Sequence, residues 1–445
     1  MKISLSDNFT YKKLLRYTLP SIAMMMIMSV YVVVDGFFVS NFAGKTPFAA
    51  VNIIYPLLLI LASVGFMFGT GGTALVAKTY GEGDKEKANS IFSLIVYIDI
   101  IVGIVLTIIG FFILKPVAVM SGAEGELLDC CMLYARILLP GLPFYTLQFL
   151  FQSFFAAAEK PRLGFSVTAA AGITNMLGDA VLCTTLPQQY RLAGAAIATL
   201  LGIVVGGAVP LVYFACRNSS LLRLGKARPD WKAVIKSCTN GSSEFISSIA
   251  SNVVAILFNI QLMKYAGENG VAAYGVIMYV GLIFAGVFLG YTVGSAPVIS
   301  YHYGARNYSE LKNLLNKSIV ITAVFGVLMF VSAKILAGPI SYAYVGYDEE
   351  LKRLTVSAFR LYSVVFIING FGILASSFFT ALNNGAVSFT ISFLRTLVFP
   401  CVAVYILPQF LGINGIWLAA PAAEFMAVAV SCIFFYANKD KYHYV

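Results

Sequence analysis

The chain has 445 residues, of which 59% are hydrophobic and only 11% charged, whereas soluble domains run to about 25% charged. A water-soluble fold of that composition would expose apolar surface it could not cover, so the composition excludes an ordinary soluble domain and calls for the bilayer as solvent. The net charge of +10 does not indicate nucleic-acid binding, because no basic cluster is interleaved with stacking aromatics.

The first 16 residues, MKISLSDNFTYKKLLR, are polar and basic, and the apolar run that follows is too long for a cleavable signal. The first span is expected to serve as its own insertion signal. A spanning helix needs about 20 apolar residues. Twelve such segments are predicted, near 17–40, 50–77, 90–114, 130–157, 164–186, 193–216, 240–265, 271–300, 314–337, 354–382, 387–409 and 414–437. The runs are too long for membrane strands and lack period-two alternation.

Orientation follows the distribution of Lys and Arg. With the N-terminus inside, twenty bases fall on inner connections, Lys2, Lys78, Lys160, Arg223, Arg306 and Lys439 among them, and seven on outer ones. Both termini are therefore expected in the cytoplasm. Arg136, Arg360 and Arg395 fall inside spans. The longest connection, 217–239, carries six bases and lies at the midpoint. It divides the chain into an N-terminal six-helix bundle (1–216), a cytoplasmic linker (217–239) and a C-terminal six-helix bundle (240–445).

The two halves repeat. GTALVAKTYGEGD from Gly72 resembles GSAPVISYHYGARN from Gly294, and Ser153-Phe-Phe-Ala resembles Ser377-Phe-Phe-Thr. Ala193-Gly194 matches Asn414-Gly415 at nearly the same offset. Six spans per half give the halves the same orientation. Parallel repeats about an axis along the membrane normal, with a cavity between them, are a transporter architecture.

Ionisable residues within spans are expensive and mark function or buried pairs. Those here are Asp35, Asp99, Arg136, Asp179, Arg360, Arg395 and Glu424, with Glu244 near an inner helix end. Asp35 and Asp179 both lie in the outer halves of their spans, as do Tyr134 and Thr199. Asn175 precedes Asp179 by four residues and shares its helix face. Two carboxylates, an amide and two hydroxyls can thus converge at one depth, a hard-oxygen set suited to Na⁺ or to proton exchange between coupled acids. Pro20 interrupts the backbone ladder of the first span and makes that helix a candidate moving element. Arg395 and Glu424 can pair across adjacent helices, whereas Asp99, Arg360 and Glu244 receive no role. The seven cysteines read as small buried hydrophobes, His302 and His443 lie outside the spans, and no zinc-type ligand spacing occurs.

In order, Pro20, YVVVDGFFVS (31–40), Pro56, GTGGTALVAKTYGEGDKEKA (69–88), NMLGDAVL (175–182) and GAAIAT (194–199) form an ordered set. GSSEFISSIASNVVAILFN (241–259), the stretch 274–307 and GIWLAAPAAE (415–424) extend it through the second half. By this set the chain resembles the multidrug and toxic compound extrusion (MATE) transporters over its whole length, especially their DinF-like branch. The resemblance implies two six-helix bundles related by a pseudo-two-fold, a V-shaped cleft that alternates between faces, and export of amphipathic, often cationic compounds against H⁺ or Na⁺. It implies a cation site at Asp35, Asn175, Asp179, Tyr134 and Thr199, with Pro20 as the bending residue. A cation site in the second half, as in another branch, would have only Glu244 as a match.

No cofactor is expected beyond the coupling ion, and the chain is expected to act as a monomer on small amphipathic molecules within membrane lipid. The 35 Phe, 25 Tyr and 13 Met suit varied lipophilic cations. Candidate cleft residues are Phe37, Phe38, Met67, Phe154, Phe155 and Met278. A lipid-linked oligosaccharide flippase of the same superfamily is the alternative. It would favour Arg-rich spans, whereas here acids equal or exceed bases. An enzyme would need a nucleophile, ligand set or cofactor motif that no span supplies.

Overall fold

The computed structural model describes residues 3–444. Lys2, counted above among the inner bases, lies outside them. Ten helices are long and apolar enough to cross a membrane, and the bent pair Glu349–Tyr362 and Val365–Ala381 adds another. The 74-residue helical run Trp231–Gly304 is two spans. As one rod it would reach about 110 Å, several times the roughly 30 Å hydrocarbon core. Gly267 breaks it with φ 60° and ψ −153°, a conformation that residues with a Cβ avoid. Beyond the break the chain doubles back, so that Tyr274 stacks on Phe258 with ring centroids 5.3 Å apart. The architecture is all-helical with twelve spans in two six-helix bundles. The helices begin a few residues earlier than the hydropathy predicts, because the polar turns that cap them lie outside the apolar stretch.

The internal repeat extends to local backbone detail. The fourth span (Gly125–Ala157) breaks after Leu138, where Pro140 and Pro143 lack the N–H that a continuous helix needs. The tenth span breaks after Tyr362, at the position 224 residues later, and bends there by 45°. The turn after the fourth span holds Glu159 at φ 56°, and its counterpart after the tenth holds Asn383 at φ 58°. The third span is capped by Asp84, which accepts from the Lys87 amide at 2.9 Å. The ninth is capped by Asn307, which accepts from the Glu310 amide at 3.2 Å. Equivalent turns in both halves thus use equivalent chemistry.

The halves meet at the end of the molecule that carries both termini. There Leu5 and Phe9 share one buried cluster with Tyr442 and Tyr444. Contact is made backbone to backbone through glycines. A Cβ on Gly81 would sit 2.1 Å from the Tyr301 carbonyl oxygen, and one on Gly304 would sit 2.1 Å from that of Lys78. Each contact is the image of the other, as a two-fold requires. Gly71 against Ser237 and Gly241 against Met67 extend the seam. Asn383 fastens it by donating to the Ala74 carbonyl oxygen at 3.2 Å. The N-terminal segment bridges the bundles as well: the Leu5 amide donates to Glu159 (2.9 Å) and the Phe9 amide to Glu310 (2.8 Å). Toward the opposite end the cores are separate, one built from residues 39–203 and the other from 258–419. Joined at one end and unjoined at the other, the bundles form a V.

Arg136 and Arg360 fall within spans, as the hydropathy predicts. Both are exposed on the short first segments of the broken spans, Gly125–Leu138 and Glu349–Tyr362. The latter segment is amphipathic, with Glu349, Glu350, Lys352 and Arg353 in its first turns.

Candidate functional site

Close approach of the fifth span (Pro161–Thr185) and the sixth (Gln188–Ala215) builds the site. Small residues allow that approach: a Cβ on Gly178 would lie 2.7 Å from that of Ala198, and one on Gly202 would lie 2.9 Å from the Ala171 carbonyl oxygen. This contact brings Asn175 within reach of Thr199, and the amide nitrogen donates to the hydroxyl at 3.3 Å. Thr199 in turn donates to Asp35 Oδ1 at 3.2 Å. The first span, the fifth and the sixth are thus joined by one polar chain.

Asp179 is fully buried one turn beyond Asn175, and its carboxyl neighbours that of Asp35. Tyr134, also fully buried, lies beside Asp35, Asp179 and Thr199. Within the described residues, both Asp179 oxygens, Asn175 Oδ1 and the Tyr134 hydroxyl have no hydrogen-bond partner. None of the salt bridges among those residues involves either aspartate. Two carboxyls without a fixed counter-charge shed their negative charge only by taking up protons or mobile cations. The donor set is all oxygen with two acids, which suits H⁺ or Na⁺ better than a thiophilic metal.

Asp35, Asn175 and Thr199 open onto a cavity of about 470 Å³. Its wall includes Tyr31, Phe37, Asn52, Tyr55, Tyr145 and Gln148 from the N-terminal half, with Tyr279 and Tyr344 from the C-terminal half. No Lys or Arg is among its lining residues. An aromatic, acid-edged chamber without bases suits an amphipathic cation.

Of the aromatic and methionine candidates, Phe37 lines this cavity. Phe38 instead stacks on Phe42, with centroids 5.7 Å apart, against the N-terminal core. Phe154 and Phe155 are corrections: at 0% and 3% exposed, both pack in an aromatic core around Phe214. Met67 forms part of the inter-half seam through its backbone. Met278 is exposed beside Tyr279 without lining the cavity. The tyrosines at 31, 55 and 145 were missed. A signal existed for one of them, because Tyr31 stands four residues before Asp35 and shares its face.

Pro20 is the tenth residue of the first helix (Tyr11–Phe38), well past its first turn. The carbonyl of Arg16 therefore lacks its usual helical donor. At its other end this helix loosens into a π-turn, Val39–Ala43, just beyond Asp35. In the C-terminal half, Arg395 Nη1 lies 3.4 Å from Glu424 and donates to Asn369 at 2.9 Å. Glu244 is an electrostatic neighbour of Arg395. Gly372 leaves room for the pair, since a Cβ there would meet Arg395 Cδ at 2.5 Å. Here the acid already has a covalently tethered cation. Asp99 is buried in the third span near Thr146.

Twelve spans in two repeated bundles, with a cavity between bundle interior and cleft, define a multi-pass membrane transporter rather than an enzyme. The MatE family model matches residues 20–181 and again 245–406, one copy in each half. The chain belongs to the MatE family. It is 22% identical over 437 residues to the multidrug export protein MepA of Staphylococcus saprophyticus, covering 97% of this chain and 94% of that one. The fold is similar to that of a multidrug resistance MATE family transporter of the MOP superfamily solved in an outward-facing conformation. That match has a TM-score of 0.92 and 22% identity, and covers 98% of each chain. It is also similar to a MATE structure in the bent conformation, with a TM-score of 0.90 and 22% identity, covering 99% of this chain and 97% of that one. As a multi-pass MatE transporter the chain resides in the plasma membrane and needs no organic cofactor.

Proposed function

We propose that the protein exports amphipathic, often cationic small molecules in exchange for H⁺ or Na⁺ by alternating access. The supporting observation is the pair Asp35 and Asp179: a buried acid beside a half-buried one at the edge of an aromatic cavity, with Asp35 tied through Thr199 to Asn175 and neither acid in a salt bridge among the described residues. A gradient can drive export only if the two conformations bind the cation with different affinity. Asp35 lies on the helix interrupted by Pro20, so bending of that helix alters the pair's separation and surroundings. The relatives named as multidrug exporters support the substrate class. The proposed organisation is a bundle from 1 to 216, a cytoplasmic linker from 217 to 239 and a bundle from 240 to 445. Both termini are in the cytoplasm, and one chain suffices for transport.

The test is transport of ethidium in proteoliposomes of the purified protein, with an imposed H⁺ gradient or an imposed Na⁺ gradient as the sole driving force. Accumulation under one of them identifies the coupling ion. Equal ethidium flux with and without either gradient removes the antiport reading.

A further inference from the structure

The connection between the halves is docked on the N-terminal bundle in a regular way. Leu222 and Leu224 point into the bundle's core. The backbone between and beyond them is tied to the first turns of the third span, Lys85–Met120. The Arg223 amide donates to Asn89 Oδ1 (2.9 Å), the Gly225 amide to Ser93 Oγ (3.0 Å) and the Arg228 amide to Ser90 Oγ (3.0 Å). The Tyr97 hydroxyl returns a bond to the Gly225 carbonyl at 3.0 Å. These bonds use the helix's polar side chains on backbone and leave the connection's basic side chains unengaged.

A cavity of about 290 Å³ results, with Lys85, Arg223 and Lys226 on its wall and Glu86 as its one acid. Among the described residues none of the three bases forms a salt bridge. The same helix face continues out of the cavity as an apolar stripe. Tyr97, Ile101, Ile104 and Ile108 follow Ser93 at helical spacing, and each is 40–59% exposed on the bundle's outer surface. From Tyr97 to Ile108 the stripe runs about 16 Å, close to half the roughly 30 Å hydrocarbon core.

A basic, preformed cavity at one end of a leaflet-length apolar stripe matches one kind of molecule. We infer that this site binds an anionic phospholipid, its headgroup phosphate between Lys85, Arg223 and Lys226 and one acyl chain along Tyr97, Ile101, Ile104 and Ile108. A soluble phosphate would use the bases alone, whereas a lipid engages the bases and the stripe together. The lipid would sit on the segment that joins the halves, at the end where they meet.

The test uses the full chain in detergent, with retained lipid measured by native mass spectrometry. Dioleoyl phosphatidylglycerol should be retained about tenfold or more tightly than dioleoyl phosphatidylcholine, which has the same chains and no net charge. Arg223→Gln with Lys226→Gln should remove that preference. A control with Lys87→Gln and Arg228→Gln, bases of the same region whose side chains lie outside the cavity, should keep it. All three proteins are compared at matched elution volume, so that a misfolded variant is recognised. Equal retention of the two lipids would overturn the inference, as would undiminished phosphatidylglycerol binding by the Arg223/Lys226 variant. Binding of glycerol 1-phosphate as tight as that of the lipid would overturn it too, by identifying a soluble phosphate as the ligand.

Discussion

The Thr199 hydroxyl donates to Asp35 Oδ1 at 3.2 Å while itself accepting from Asn175 at 3.3 Å. The hydroxyl has one proton to give, and the Asn175 donation leaves it no alternative acceptor in this chain of contacts. Its orientation toward Asp35 is therefore set by the fifth span, on which Asp179 also resides.

Thr199→Val keeps the shape and removes that donor. A hydrogen bond donated to an ionised carboxylate favours the charged form by about 1.5–3 kcal/mol, so affinity for the coupling cation should change roughly tenfold to a hundredfold, and upward if that cation is H⁺. The half-saturating cation concentration for ethidium export measures it. Thr199→Ser should remain near the parental value.

Phe37 and Phe154 separate lining from core. Phe37→Ala should alter the relative rates for different lipophilic cations and leave thermal stability unchanged, because the side chain is 58% exposed on the cavity. Phe154→Ala should destabilise the protein by about 3–5 kcal/mol, the usual loss for a buried aromatic. Unfolding followed in detergent distinguishes them.

Arg395 and Glu424 form a buried pair. Glu424→Leu alone leaves the guanidinium with Asn369 and the more distant Glu244 as its remaining partners and should cost about 1–3 kcal/mol. Adding Arg395→Leu should restore most of that stability. Thermal unfolding of the two single variants and the double variant, analysed as a double-mutant cycle, checks the coupling.

Gly241→Ala places a methyl group 1.9 Å from the Met67 carbonyl oxygen. The seam must part to admit it, at a cost of about 1–3 kcal/mol, enough to shift a two-state population roughly tenfold. Spin labels at Lys78 and Arg306, on opposite sides of the seam, should show a longer distance in Gly241→Ala than in the parent.

Much of the fold was legible because bilayer chemistry restricts the options. A dozen apolar runs, a basic midpoint connection and repeated motifs lead to two bundles by charge and length alone. The depth of Asp35 and Asp179 could be counted along their helices, and the four-residue spacing put Asn175 on the same face as Asp179. Side-chain direction was less legible where no partner polarity marks a face. Phe37 and Phe154 are the same residue type in similar apolar runs, and only the rotation of each helix against its neighbours sends one to the cavity and the other to the core. Likewise, hydropathy could not show that the fourth and tenth spans break, nor that Arg136 and Arg360 face outward on their first segments.

The central claim is that Asp35 and Asp179 hold the exchanged cation between them. The most direct measurement is cation counter-flux during ethidium transport in proteoliposomes, made on the parent, Asp35→Asn and Asp179→Asn. The account predicts cation movement opposite to ethidium in the parent and loss of both gradient-driven export and counter-flux in each variant, with folding retained. Export by Asp35→Asn at the parental rate, with counter-flux intact, would contradict it.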